Sequence, residues 1–383
     1  MVRWQAEVRV NLDAIRDNVS RLCASTNAAV MAVVKGDGYR HGMVESARAA
    51  LSGGATWLGV TTLDEALALR RAGITAPVLA WLLSPGLPLR EGIDASIDFG
   101  VATVAQLDEM IKAGAEAGKP VHVHLKVDTG LSRGGATMMD WPLLVHAAAQ
   151  AEARGTVRVA GVWSHLAAAD DPGHETIDAQ LDAFREALSI AARHGVHPSL
   201  RHIANSAATL TRPDAHFDMV RAGIAIYGLS PVPGERFGLR PAMTARAKVM
   251  LSKRIPAGTG VSYAHTYTTT GETTVAVIPL GYADGVPRHA SNVGPVRLNG
   301  RTHTIAGRVC MDQVVVDVGD LPVSPGDVAT LFGPGDDGEP TADDWAAAAD
   351  TTNYEIVTRF GSARTRRVYE GSTLDQDPPI APS

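Results

Sequence analysis

Lys35 closes the apolar run AAVMAVV and is followed at once by Gly36, Asp37, Gly38 and Tyr39. A run that is apolar on both faces reads as an interior strand of a parallel sheet. The C-terminal ends of such strands are where α/β folds carry chemistry. Polar residues recur at the same place in later runs: Lys126, Asp128 and Arg133 in KVDTGLSRGG, His165 in WSHLAAAD, Asn205 and Ser206 in HIANSAATL, Arg221 and Gly223 in VRAGIAIYG. Each has a plain structural reading. Lys35 is then the first solvated residue after its strand, His165 a satisfied structural imidazole, and Ser206 a helix cap. Taken together they offer a desolvatable amine on one side. On the other stands a serine beside glycine-exposed backbone N–H groups, which suits a dianion. That pairing points to pyridoxal 5'-phosphate, whose aldehyde bonds to a lysine amine. No His-x-His or carboxylate cluster ends the first strand, so no metal site is expected. A phosphosugar site would leave the C-terminal third of the chain unused.

The elements that must hold these residues alternate. Eight candidate strands, AAVMAVV, TWLGVT, APVLAWL, ASIDFG, VHVHLKVD, VRVAGVWSH, LRHIAN and DMVRAGIAIYG, are separated by segments of helical spacing, several ending in Gly. The first helix, DAIRDNVSRLCAST, carries an Asp at its expected cap. The count fits a (β/α)8 TIM-type barrel over residues 8–232. A doubly wound sheet is the alternative, but its GxGxxG turn is missing. After the Pro/Gly-rich PVPGERFGLRP the texture changes to short β-branched runs, TARAKVMLSK, TTVAVIPL, GPVRLNG, THTIAGRVCMDQVVVDVG and GDVATLFG. These predict a mainly β C-terminal domain over residues 233–383, with an N-terminal strand from residues 1–7. One helix, TADDWAAAAD, an extended tail and a frayed TLDQDPPIAPS end the chain.

Composition excludes several classes. The 383 residues carry a formal net charge of −6, which leaves no basic footprint for nucleic acid. No apolar run spans a bilayer, and the N-terminus is charged where a signal peptide needs an apolar core. Two cysteines, Cys23 and Cys310, are too few for a disulfide framework, so a cytoplasmic protein is expected. Only six lysines stand against 29 arginines, which shortens the search for a reactive amine.

AVVKGDGYRHG, KVDTGLSRGG, GVWSHLAAAD, HIANSAATL, VRAGIAIYG, GVSYAHTY, IPLGYADGVPR and GRVCMDQ together resemble the alanine racemases, a pyridoxal-phosphate family of barrel plus β domain. The motifs cover nearly the whole chain. The resemblance implies that Lys35 carries the cofactor and that Tyr39, Ser206, Gly223 and Ile224 bind its phosphate. Lys126 takes a supporting part, often carbamylated, orienting Arg133. Arg133 holds the cofactor's phenolic oxygen and the substrate carboxylate. Arg221 faces the pyridine nitrogen, supported by His165. An arginine stays charged and leaves that nitrogen unprotonated, which weakens electron withdrawal. A decarboxylase of the same barrel type pairs it with a carboxylate, so Arg221 speaks against that activity.

Racemisation needs a base on each face of the α-carbon. Lys35 serves one, and Tyr263 of GVSYAHTY matches the family's second. In the family this tyrosine enters the partner subunit's site, which implies an obligate homodimer with shared sites. Tyr282, Met311 and Asp312 match partner residues lining the substrate's path and carboxylate pocket. The implied activity is interconversion of L- and D-alanine, supplying D-alanine for peptidoglycan. Broad-specificity or serine racemases, and a non-catalytic pyridoxal-phosphate carrier, are the rivals. Two departures stand out. The family pattern K-A-[ND]-A-Y-G-H-G here has Gly36 and Gly38 for the alanines and Arg40 after Tyr39. The C-terminal phosphate tyrosine of many relatives aligns with Ser362.

Overall fold

The computed structural model describes residues 4–371, so the segment TLDQDPPIAPS lies outside the described residues. The chain divides into two compact units. One comprises Ile15–Gly38 and Gly42–Leu239; the other comprises the described parts of Met1–Ala14, Tyr39–His41 and Arg240–Ser383.

The first unit is a nearly closed barrel. After β1 (Ala6–Asn11), which belongs to the other unit, its strands are β2 (Ala29–Val33), β3 (Trp57–Val60), β4 (Val78–Ala80), β5 (Asp98–Val101), β6 (Val121–Lys126), β7 (Val157–Trp163), β8 (Leu200–His202) and β9 (Met219–Ala222). All pair in parallel, in the order β8-β7-β6-β5-β4-β3-β2-β9. The β8–β9 seam is bridged by Asp218 N to Arg201 O and Arg221 N to Ala204 O, each 3.0 Å. Every expected barrel strand is present, because buried parallel strands are read as continuous apolar runs. Helix starts follow side-chain caps. Asn11, not Asp13, caps the first helix, accepting from Ala14 N at 2.9 Å. Thr62 and Glu65 form a capping box on Leu63–Arg71.

The second unit is built on β10 (Met243–Lys248), β11 (Leu251–Ile255), β12 (Gly260–Val261), β13 (Tyr267–Thr268), β14 (Thr273–Ile278), β15 (Pro295–Leu298), β16 (Arg301–Thr304), β17 (Val314–Gly319), β18 (Val328–Phe332) and β19 (Arg366–Glu370). Its larger sheet runs β16-β15-β18-β10-β1-β19, its smaller β11-β14-β17. TARAKVMLSK is not one strand. The N–H of Val249 bonds to Asp327 O and that of Met250 to Val277 O, so the chain switches sheets between neighbours. The stretch expected to be an extended tail holds a helix, Asn353–Arg359, capped by Thr352, before β19.

Between β2 and the helix Met43–Ser52, residues 36–40 all take the left-handed conformation, with φ between 51° and 67°. Glycine is at home there, and Asp37 tolerates it while its Oδ1 accepts from Met43 N at 3.1 Å. Glu65 pins the turn from outside, its Oε1 accepting from Gly36 N at 2.7 Å. Nothing crowds a Cβ at Gly36, whereas one at Gly38 would press on Ser46 and Met43. Gly36→Ala should therefore show the bare conformational cost, about 1–2 kcal/mol. Denaturant unfolding should rank Asn as the mildest replacement and Val as the worst. A neutral Gly36→Val would mean that the turn is not held left-handed.

Candidate active site

The C-terminal end of the barrel gathers positive charge. Lys35 is half-buried, and burial lowers its amine below the ordinary lysine range, helped by Arg133 and Arg221 and opposed by Glu65. Its Nζ lies 5.9 Å from the Trp81 ring centroid. It is not a solvated strand-end lysine. Lys126, ending β6, is pushed down to about 8 by burial, then by Arg221 and Arg133. Its Nζ sits 4.4 Å from the Trp163 centroid. Arg133 stands on an exposed loop whose hairpin is fixed by Asp128, with Oδ1 accepting from Gly130 N at 3.0 Å and Ser132 N at 3.1 Å. Ala136 N closes it onto Lys126 O at 2.8 Å.

Arg221, on β9, is buried. Its Nη2 donates to Ser164 O at 2.8 Å, Ile203 O at 3.1 Å and His165 Nδ1 at 3.1 Å. Burial pushes the guanidinium down to about 9, which leaves it charged at neutral pH. Burial, Arg221 and Arg133 together drive His165 well below the usual imidazole range, so it is neutral and accepts. The alternative roles of Asn205 and Ser206 separate cleanly. Asn205 caps the helix Ser206–Thr211 through Ala208 N at 3.1 Å. The Ser206 hydroxyl instead accepts from Gly223 N at 2.8 Å and Ala225 N at 3.3 Å. Ile224 lies buried between those two donors.

Tyr39 belongs to the β unit. It is buried, which pushes its phenol up. Its ring centroid is 6.4 Å from that of Tyr354 at a 45° tilt. The sequence reading did not single out Tyr354. The Ser362 hydroxyl donates to Asp284 Oδ1 at 2.7 Å. The missed signal was the helix Asn353–Arg359, which carries Tyr354 in its first turn. Arg40 is exposed. Trp81 and Trp163 were also missed, although both stand at the C-terminal ends of barrel strands.

A second cluster lies within the β unit. Tyr263 opens the short turn Tyr263–His265 between β12 and β13, flanked by Ser262, Ala264 and His265 with φ of 62°, 59° and 45°. Three non-glycine residues in this region mark a turn held by its surroundings. Ser262 Oγ donates to Arg308 O at 2.7 Å, tying the turn to the segment before Met311. Tyr282 N and Ala283 N donate to Cys310 O and Met311 O, each at 3.0 Å. Arg364 bridges Asp312 and Asp284 at 2.7 Å each. The side chains of this cluster remain in solvent: Tyr263 is 69% exposed, Met311 53% and Tyr282 42%.

Residues 10–231 match the family model described as the alanine racemase N-terminal domain, and residues 242–369 match the C-terminal domain. The chain belongs to the alanine racemase family. It is 70% identical to the alanine racemase of Salinispora tropica over 96% of this chain and 99% of that one. The crystal structure of alanine racemase from D-cycloserine producing Streptomyces lavendulae is 52% identical and superposes with a TM-score of 0.96, covering 97% and 98% of the two chains. That of Streptomyces coelicolor A3(2) is 53% identical with a TM-score of 0.94, covering 95% and 98%. Within this alanine racemase fold the Ser206 cradle is separable from the cap. Asn205→Ala should cost about 1 kcal/mol of stability. Ser206→Ala strands two buried N–H groups and should cost about 1–3 kcal/mol. Denaturant titration reads both, and a Ser206→Ala loss no larger than that of Asn205→Ala would refute the cradle.

Proposed function

We propose that the protein interconverts L- and D-alanine with pyridoxal 5'-phosphate, and that two chains share each site. The observation that carries the reading is the amine of Lys35, desolvated beside Arg133 and Arg221 at the barrel mouth. The donor set fits the cofactor. Positive groups prevail there, as a phosphate and a substrate carboxylate require. Ser206, Gly223 and Ile224, with Tyr39, would hold the phosphate; Lys35 would bond to the aldehyde; Arg221, with His165, would face the pyridine nitrogen. When bound, the cofactor takes up the electron pair left on the α-carbon as its proton departs.

The chain's own groups do the rest. With its amine freed by the incoming substrate, Lys35 removes or returns the α-proton on the D face. Tyr263, supplied by a second copy, does so on the L face. Exposed Tyr263, Tyr282 and Met311 are side chains such an arrangement would cover. Arg133 would hold the substrate carboxylate, with Met311, Asp312 and Tyr282 of the second copy lining the approach. Lys126 is suited to carbamylation. Its amine loses its proton above about pH 8 and can then add CO2, releasing one proton and becoming an anion beside Arg133. Among the described residues no helix is long and apolar enough to cross a membrane. The proposed role, supplying D-alanine for peptidoglycan, places the enzyme in the cytoplasm.

Chiral analysis after incubation with each L-amino acid tests the activity and its breadth. Borohydride should fix the cofactor on Lys35; fixation on Lys126 would overturn the assignment. Tyr263→Phe should slow racemisation about 10²–10⁴-fold. In deuterated water this variant should still exchange the α-hydrogen of D-alanine faster than it racemises it, while exchange of L-alanine falls. Mixing it with Lys35→Ala should restore activity in hybrid dimers. Silence from demonstrated hybrids would count against shared sites.

A further inference from the structure

Behind Arg221 the barrel core holds a chain of polar groups that the reaction as described leaves unused. Arg221 Nη1 lies 3.2 Å from His202 Nδ1. His202 Nε2 lies 2.9 Å from His124 Nδ1, and His124 Nε2 lies 3.2 Å from Asp98 Oδ2. Both imidazoles are fully buried and Asp98 nearly so. The polarity is forced. Arginine can only donate and a carboxylate can only accept. His202 must then accept at Nδ1 and donate from Nε2, and His124 must do the same. No other arrangement of neutral imidazoles satisfies all three contacts.

Space is reserved for the chain. Gly161 on β7 faces His124, and a Cβ there would clash with the imidazole, 2.2 Å from its Nδ1. The β6–β7 ladder slips in register between Val123 and His124. Trp163 stacks on His202 at 5.8 Å and 4°, and Trp57 meets His124 edge-on at 5.6 Å. At the far end Asp98 also faces His122 Nδ1 at 3.6 Å, near the surface. Burial works against the Asp98 charge, but hydrogen bonds from His122 and His124 outweigh it and keep the carboxylate below its ordinary range. Arg221's other partners are carbonyls and one neutral imidazole. A buried cation needs compensation, and Asp98 is the carboxylate to which its hydrogen bonds lead.

We propose that Asp98, His124 and His202 are positioning residues, a remote counter-charge and two aligned imidazoles that hold Arg221 as a donor and cation. The inference rests on the racemase reading, in which Arg221 faces the pyridine nitrogen. Placing the carboxylate two imidazoles away stabilises the guanidinium without setting an anion beside the cofactor. Weakening the chain should let that nitrogen take up a proton more readily. The side reaction in which alanine and bound pyridoxal phosphate become pyruvate and pyridoxamine phosphate should then gain on racemisation.

Neutron diffraction from deuterium-exchanged holoenzyme crystals reads the polarity directly. Deuterium on Nε2 of both His124 and His202 is expected; deuterium on Nδ1 of either overturns the proposal. Asp98→Asn keeps the shape and removes the charge. Its pyruvate formed per racemisation event should rise about threefold or more, the scale of one coupled charge in a network. An unchanged ratio in folded Asp98→Asn, with racemisation and stability merely lowered, would make Asp98 structural only and overturn the proposal. If the unaltered protein does not racemise alanine, the functional reading fails instead, while the imidazole protons still judge the chain.

Discussion

Arg221 is a cation buried in a barrel with no carboxylate among the described residues touching its guanidinium, and the site is arranged around that cost. A buried charge that lacks good partners is expensive. Here the partners are two carbonyls and two imidazoles, each turned so that nitrogen accepts. The same charge acts outward. It lowers the proton affinity of Lys35, Lys126 and His165 at once, although burial is the larger cause for each. Burial and this fixed cation thus act in the same direction on the mouth, each favouring the uncharged amine of Lys35.

The barrel was legible because its strands are buried on both faces and read as unbroken apolar runs. The strand-end positions of Lys35, Lys126, His165 and Arg221 follow from that alone. Other features left no trace in local pattern. The switch of sheets after Val249 has no glycine or proline to announce it. His124 and His202 look like ordinary strand residues, since pairing across β6, β7 and β8 is a property of closure, not of spacing. Tyr354 was not singled out, because a helix, Asn353–Arg359, stands where an extended tail was read. Only the turn of that helix brings Tyr354 beside Tyr39.

Glycine has two uses in this chain, and both are needed. At Gly36 and Gly38 it permits a left-handed path that sends the chain away from Lys35 without the Cβ penalty. At Gly161 it removes a Cβ from the barrel wall so that an imidazole can lie against it. The first kind shapes the backbone and the second makes room for polar chemistry in an apolar core.

The first strand has a consequence for how the protein is made. β1 lies inside the larger sheet of the β unit, antiparallel to β10 on one side and parallel to β19 on the other. It leaves the ribosome before its sheet neighbours, and β19 is the last of them. At synthesis rates of about 5–20 residues per second, Ala6–Asn11 waits some ~20–70 s for the last of its neighbours. The barrel can assemble in that interval with a β-prone segment hanging from its start. A gene cut between the two units would strand β1 with the wrong half, leaving one fragment with an unpaired strand and the other with a gap in its sheet.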